Sequence, residues 1–446
     1  MLATAGLEVE VFEAEPQAGG GLRSAELTLP GFVHDVCSGV HPLAAASPAF
    51  RALDVELDLV YSPAPAAHPL DDGSAMVLER SLEATAGWLG PDAAAYRRLV
   101  APVVAALDAT LAGRWPQASG RIPGALRHGL DAAGALSRRL FGADAARAFF
   151  AGHAAHSMLP LERRPSAGVG LVLAALGHAA GWPIVRGGSQ RLADALVDRL
   201  HDAGGVLHVS SPVDELPRAD LVLCDIAPRE LVRLARGRLP ARYEQALRGY
   251  RYGPGAFKVD WALAAAIPWA AEECRRAATV HLGATLDEII ASERAPWEGR
   301  LAARPFVLLS QPSVFDERRA PGGRHTAWAY CHVPNGATVD AGDAIEAQVE
   351  RFAPGFRELV LARSALGPRD LERHNRNIVG GDVNCGSFEL GQLVFRPVRR
   401  AIPYRTPLRG VFLCSAATPP GGGVHGLCGY AAAHLALRTL ARRRRS

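Results

Sequence analysis

The chain has 446 residues, 49% of them apolar, with 46 glycines and 32 prolines. That length allows two or three domains with sizeable cores, in a loop-rich chain that stays clear of disorder. The formal net charge of +4 is matched by the four arginines of Arg442–Arg445 alone, and no basic stripe with interleaved aromatics occurs, which excludes a nucleic-acid binder.

Met1–Gly6 reads as the tail of a helix. Glu8–Ser24 (EVEVFEAEPQAGGGLRS) then reads as the second strand of a dinucleotide-binding unit and the loop after it. Such a unit needs a first strand, a glycine-rich turn and a helix before that strand. Neither the strand nor a G-x-G-x-x-G turn precedes Glu8, so the reading frame is expected to continue upstream by roughly 20–25 residues. Residues 1–15 hold four glutamates and no cation, unlike a secretory leader, and a cytoplasmic location is expected.

Pro30–Ser62 is loop-rich. Leu82–Leu111 and Gly124–Phe150 carry helical spacing, and Gly152–Pro160 reads as a helix end. Ala167–Trp182 is the most apolar stretch, yet glycines and His178 interrupt it and it is too short to span a bilayer. From Gln190 an amphipathic run places Leu192, Leu196 and Leu200 on one helix face and stops at Gly204–Gly205. Val206–Leu216 then reads as a strand, and Asp220–Asp225 as a short buried strand of a parallel sheet. Gly255–Leu263 (GAFKVDWAL) alternates cleanly and opens an antiparallel region with further strands at Phe306–Leu309 and Thr326–Val333 and a helix over Asp343–Phe352. The strand Gly410–Ser415, the loop Thr418–Gly429 (TPPGGGVHGLCG) and a helix over Tyr430–Arg442 close the chain. The interleaving implies two discontinuous domains: a nucleotide domain of residues 1–62, 184–248 and 371–446, and a substrate domain of 63–183 and 249–370.

Some of these residues carry chemistry. An acid at a strand end, here Glu13, accepts hydrogen bonds from ribose hydroxyls in dinucleotide folds; alone it is equally a solvated carboxylate. Gly19, Gly20 and Gly21 permit close backbone approach to a ligand, and Arg23 suits a phosphate. The glycine loop before the last helix offers free N–H groups to an anion or carbonyl. Lys258 is the only lysine against 48 arginines. It shares a strand face with Asp260, while Phe257, Val259 and Trp261 take the other. It is read either as half of an ion pair or as a point charge that a guanidinium cannot replace. His153 and His156 have the spacing of helix neighbours, but no third metal ligand accompanies them; a polar patch by a cavity or ordinary packing fits better. His34, His41 and His425 sit in loops beside the glycine segments. Seven scattered cysteines with no C-x-x-C fit a reducing compartment and argue against a zinc site or a disulfide framework.

Together these segments resemble the phytoene-dehydrogenase-like flavoproteins, relatives of carotenoid desaturases and isomerases in the amine-oxidase-type FAD superfamily. VFEAEPQAGGGLRS, GGSQRLADAL with the strand ending at Val213, and CSAATPPGGGVHG carry the likeness. The resemblance implies an α/β fold: a glutathione-reductase-type Rossmann domain lacking its first strand, plus a substrate domain of mostly antiparallel sheet and helices. It implies FAD, with Glu13 on the adenosine ribose, Arg23 at the pyrophosphate, Val213 on the adenine through its backbone, and Gly422, Gly423 and Val424 at the flavin ring. Where many members have Gly-Asp before the last helix, this chain has Ser415-Ala416, so Ala416 would serve through its backbone. Lys258 would stand where such enzymes link a lysine through water to flavin N5. The function implied is oxidoreduction of an apolar, plausibly polyprenoid, small molecule, with hydride passing to the flavin. Amine oxidation, with Trp261 and Trp269 as a cage, and redox-neutral isomerisation stay open. So does a truncated, non-catalytic binding protein. The terminal arginines read as a solvated helix end or as a peripheral contact with an anionic membrane. Oligomeric state is not legible.

Overall fold

A computed structural model describes residues 1–111 and 127–443. The part of the Gly124–Phe150 helix before residue 127, and Arg444 and Arg445 of the terminal run, lie outside the described residues.

The centre of the molecule is a seven-stranded mixed sheet in the order Val360–Leu366, Gly255–Leu263, His325–Val333, Val307–Ser310, Ala277–Leu282, Ala64–Pro69, Ala75–Leu78. Every neighbouring pair is antiparallel except Ala277–Leu282 against Ala64–Pro69. The alternation of GAFKVDWAL decides its two faces. Phe257, Val259, Trp261 and Leu263 join a core with Ile345, Val349, Phe352 and Phe356, most of it from the helix Gly342–Phe352. The opposite face carries Lys258 and Asp260, and it too is covered, so all nine residues of the strand are buried. What covers the far end of that face is a group of helices, Ala93–Leu111, Ala133–Leu140, Asp144–Ala155 and Ser166–Ala179. Their Tyr96, Phe149, Phe150 and Leu171 pack with Phe306 and Leu308 of the sheet region. The single helix expected over 124–150 is broken between Leu140 and Asp144, where the Asp92 carboxylate accepts the Gly142 and Ala143 N–H groups at 2.8 Å each. A carboxylate there satisfies donors that a helix start leaves free.

Two parallel strand pairs form the nucleotide-type region: Glu10–Phe12 with Val206–His208, and Val222–Cys224 with Val411–Leu413. No ladder joins these pairs among the described residues. The strand expected over Val206–Leu216 ends at His208, because Ser210 takes a φ of 50° and turns the chain. Glu10–Phe12 is exposed along its length, and Val222 and Leu223 are only half-buried. The helix Gln190–Asp202 packs behind the first pair, and Leu427–Arg443 closes the chain. Among the described residues no helix is long and apolar enough to cross a membrane.

Candidate functional site

The strand ends, the glycine loops and the covered face of the sheet meet at one cavity of about 570 Å³. One edge is main chain from both ends of the sequence: Gly19 and Gly21, then Ser415–Ala417, Gly421, Gly423 and Val424. The floor is the sheet, with Lys258, Trp328, Tyr330, Thr279 and Leu308; the far wall is His156, Leu173 and Trp182.

Of the residues singled out in the sequence, Gly19, Gly21, Lys258, Ala416, Gly423 and Val424 line this cavity, and Glu13, Gly20, Arg23, Val213 and Gly422 do not. Gly423 has a φ of +121°, and a Cβ there would lie 2.4 Å from Leu43 Cδ1. Gly19, at φ +131°, would press on Ala193 Cβ at 3.0 Å. Both loops need glycine to hold these turns, and their bare backbone leaves a cradle that a flat ligand can approach. Arg23 is buried and engaged within the protein: Nε donates to the Gly20 carbonyl at 3.2 Å, Nη2 to the His374 carbonyl, and Nη1 lies 3.5 Å from Glu15. The Val213 carbonyl accepts from Arg233 at 3.3 Å. Glu13 accepts the Glu15 N–H at 2.9 Å. Burial, helped by the charge of Glu13, pushes the cavity residue Asp225 up to about 6.

Lys258 is salt-bridged to Asp260, and both are buried. Asp260 Oδ1 lies 3.3 Å from His34 Nδ1, and His34 Nε2 is 2.7 Å from Thr28 Oγ1. The ammonium stands 5.4 Å from the centre of the Trp328 ring. Gly39 allows that ring in, since a Cβ there would lie 2.8 Å from it. The ion-pair reading of Lys258 is therefore present in the structure together with its position on the cavity floor.

A second buried network escaped the sequence reading. Arg319 donates to Asp35 at 2.8 Å, to Asp316 at 3.2 Å and to the Val185 carbonyl at 2.8 Å. Ser24 Oγ and the Ser189 N–H also donate to Asp35, at 2.8 and 2.7 Å. Burial alone would raise Asp35, but the Arg319 charge and these donors hold its carboxyl below the usual range. His41, hydrogen-bonded to Ser189 Oγ at 2.8 Å, is pushed down to about 4 by burial. This network fixes the loop from residue 35 to the cavity residue His41.

Four of the scattered cysteines, Cys37, Cys385, Cys414 and Cys428, converge on the cavity. All are free thiols, and burial raises each of them, Cys37 to about 11, so they are protonated at neutral pH. The tryptophan cage of the amine-oxidation alternative is not formed. Trp261 packs on Phe356 with ring centres 5.2 Å apart, and Trp269 donates to Gln311 at 3.0 Å, both in the core on the other face of the sheet. The alternation that turns Lys258 toward the cavity turns Trp261 away. Among the described residues no group of three side chains could hold a metal ion.

No family model matches the chain. Rat pyridine nucleotide-disulfide oxidoreductase domain-containing protein 2 is 37% identical over 154 residues, which are 32% of this chain and 26% of that protein. A 4,4'-diapolycopen-4-al dehydrogenase of Metabacillus indicus is 28% identical over 128 residues, 27% of this chain and 25% of that one. The chain thus spans about a quarter of the length of the curated relatives it matches. Likeness of fold extends much further. An oxidoreductase from Methanosarcina mazei superposes with a TM-score of 0.66 at 16% identity, covering 98% of this chain and 96% of its own. Wild-type putrescine oxidase bound to putrescine gives 0.60 at 16% identity over 100% and 96%. The chain shares the mixed α/β fold of these solved structures.

Proposed function

We propose that this chain is a flavin-dependent oxidoreductase of an apolar substrate, with FAD along the glycine-rich edge of the cavity. One observation carries the reading: a single cavity joins main-chain cradles near residues 19–21 and 415–424 to a buried lysine, and continues to an aromatic and aliphatic wall. When bound, the flavin supplies the electron-pair acceptor that no side chain here can be. The cradles at Gly19, Gly21, Ala416, Gly423 and Val424 would hold the cofactor, with Glu13 and Asp225 beside the ribose end. Lys258, locked by Asp260, would hold a water at Nζ by donating a hydrogen bond to it. Leu173, Trp182, Leu308 and Tyr330 exclude water and orient the substrate. The name of the Metabacillus relative supports a polyprenoid among such substrates.

The test is a titration of the purified protein with FAD, followed by flavin absorbance and fluorescence, and then anaerobic bleaching of the loaded protein by candidate polyprenoids. Saturable binding and bleaching are expected, and an absence of saturable binding overturns the reading. One observation favours a second one, a non-catalytic binding protein: the Arg23 guanidinium is already engaged by Gly20, His374 and Glu15.

A further inference from the structure

The histidines behind the far wall of the cavity are used by nothing described so far. His156, half-buried, faces the cavity, and its Nε2 lies 3.0 Å from His281 Nε2. Behind it His281, His68 and His153 are fully buried. Three of their ring nitrogens, His281 Nδ1, His68 Nδ1 and His153 Nε2, have no protein partner. Native interiors leave few such atoms, and three in one cluster call for a reason. Gly152 supplies part of it. A Cβ at that position would lie 3.0 Å from His281 Nδ1 and 3.2 Å from His68 Nδ1, so its absence leaves a small gap where two unpartnered nitrogens converge. The cluster is a polar pocket wall built into an otherwise apolar layer of Phe149, Trp182 and Phe306.

The sheet sets its distance from the flavin end. Lys258 is the register partner of Tyr330, Tyr330 of Leu308, and Leu308 of His281. These four residues form one row across adjacent strands. Three strand spacings of about 4.8 Å put His281 about 14 Å from Lys258.

We propose that His156, backed by His281, is the recognition point for a neutral hydrogen-bonding oxygen, a hydroxyl or a carbonyl, at the end of the substrate's apolar chain remote from the reacting carbon. The proposal rests on the reading that this cavity accepts an apolar substrate. The wall is polar but uncharged: burial holds His156 down to about 3 and His68 and His153 to about 4, with His281 well below its ordinary value. With Nε2 paired to His281, the remaining nitrogen of the neutral His156 ring offers an N–H to a carbonyl or an alcohol oxygen, or in the other tautomer a lone pair to an alcohol O–H. An alkylammonium finds no counter-charge there. Asp225 is the only carboxylate lining the cavity among the described residues, and Lys258, paired with Asp260, lines the same space. Glu293, the nearby buried acid, is taken by His332 Nδ1 at 2.7 Å.

The test is calorimetric titration of the purified protein with decanol and with decylammonium, on the parent and on His156→Phe and His156→Gln. The parent should bind decanol at least about tenfold tighter than decylammonium. His156→Phe should lose about tenfold in decanol affinity, the effect of one hydrogen bond to a neutral partner. His156→Gln, which keeps a donor and an acceptor, should stay within about threefold of the parent. Equal or tighter binding of the ammonium by the parent overturns the proposal, and this arm needs no variant. So does a His156→Phe protein that binds decanol like the parent. FAD uptake is measured separately: a protein that takes no flavin yet keeps the alcohol preference sinks the redox reading and leaves this one standing.

Discussion

Replacing Lys258 by methionine removes one half of a buried ion pair while keeping the length of the side chain. The partner, Asp260, has no exposed side-chain surface, and beyond Lys258 its Oδ1 lies 3.3 Å from His34 Nδ1. A carboxylate left in that position must stay charged without a counter-ion, take up a proton, or draw one onto His34. One-sided removal of a buried pair costs about 3–5 kcal/mol, whereas exchanging both members for apolar residues is often close to neutral. The double variant Lys258→Met/Asp260→Leu should therefore be more stable than Lys258→Met alone, with a coupling energy of about 2–3 kcal/mol. Urea unfolding followed by tryptophan fluorescence measures Lys258→Met, Asp260→Leu, the double variant and the parent in one assay. If Lys258→Met loses less than about 1 kcal/mol, or if the two single effects simply add in the double variant, the pair is not coupled as the geometry requires.

The Arg319→Met variant leaves Asp35 and Asp316 facing each other without their shared guanidinium. It should lose about 3–5 kcal/mol by the same reasoning, read as a lower urea midpoint, and an unchanged midpoint refutes the network. Gly423→Ala forces a side chain into a φ of +121° and against Leu43. A strain of about 1–3 kcal/mol and a weaker FAD titration are expected, and wild-type FAD affinity would remove Gly423 from the cofactor cradle. The buried imidazoles His41, His68, His153 and His425 are held near 4 and His156 near 3. Above the ordinary histidine value of about 6.5 neither folded nor unfolded chain protonates them. Below it the unfolded chain binds protons that the folded sites refuse, so stability falls from about pH 6.5 toward pH 4, by up to about 1.4 kcal/mol per pH unit for each group. A melting temperature unchanged between pH 7 and pH 5 would show that these histidines are not buried and neutral.

Local pattern made much of this molecule legible in the sequence. The period of two in GAFKVDWAL placed Lys258 and Asp260 on one face before any partner was known, and the glycine runs located the main-chain edge of the cavity. The same alternation already turned Trp261 away from Lys258, so the tryptophan cage misread information that was present. What stayed hidden depends on chain segments far apart. The pairing of His156 with His281 joins residues 125 apart, and that of Arg319 with Asp35 residues 284 apart. Neither leaves a spacing signal. The meeting of four unclustered cysteines is of the same kind. Strand ends were overestimated where a single residue, Ser210, adopts a left-handed turn that the surrounding VLHVSSPVDEL does not announce.

The two parallel strand pairs have a consequence for how the molecule breathes. Each is three residues long, and Val11, Phe12 and Val206 are 39%, 45% and 47% exposed. The strands of the seven-stranded sheet from Gly255 to Val333 are buried almost throughout. Amide hydrogens of Glu10–Phe12 and Val206–His208 should thus exchange with solvent through small local openings, and those of Gly255–Leu263 only through the largest ones. A ligand that binds the closed arrangement of the cavity edge near residues 19–21 would suppress those openings by mass action. The slow-exchanging region would then grow outward from the sheet as ligand is added, and a map of protection against ligand concentration would trace which loops the occupied cavity holds in place.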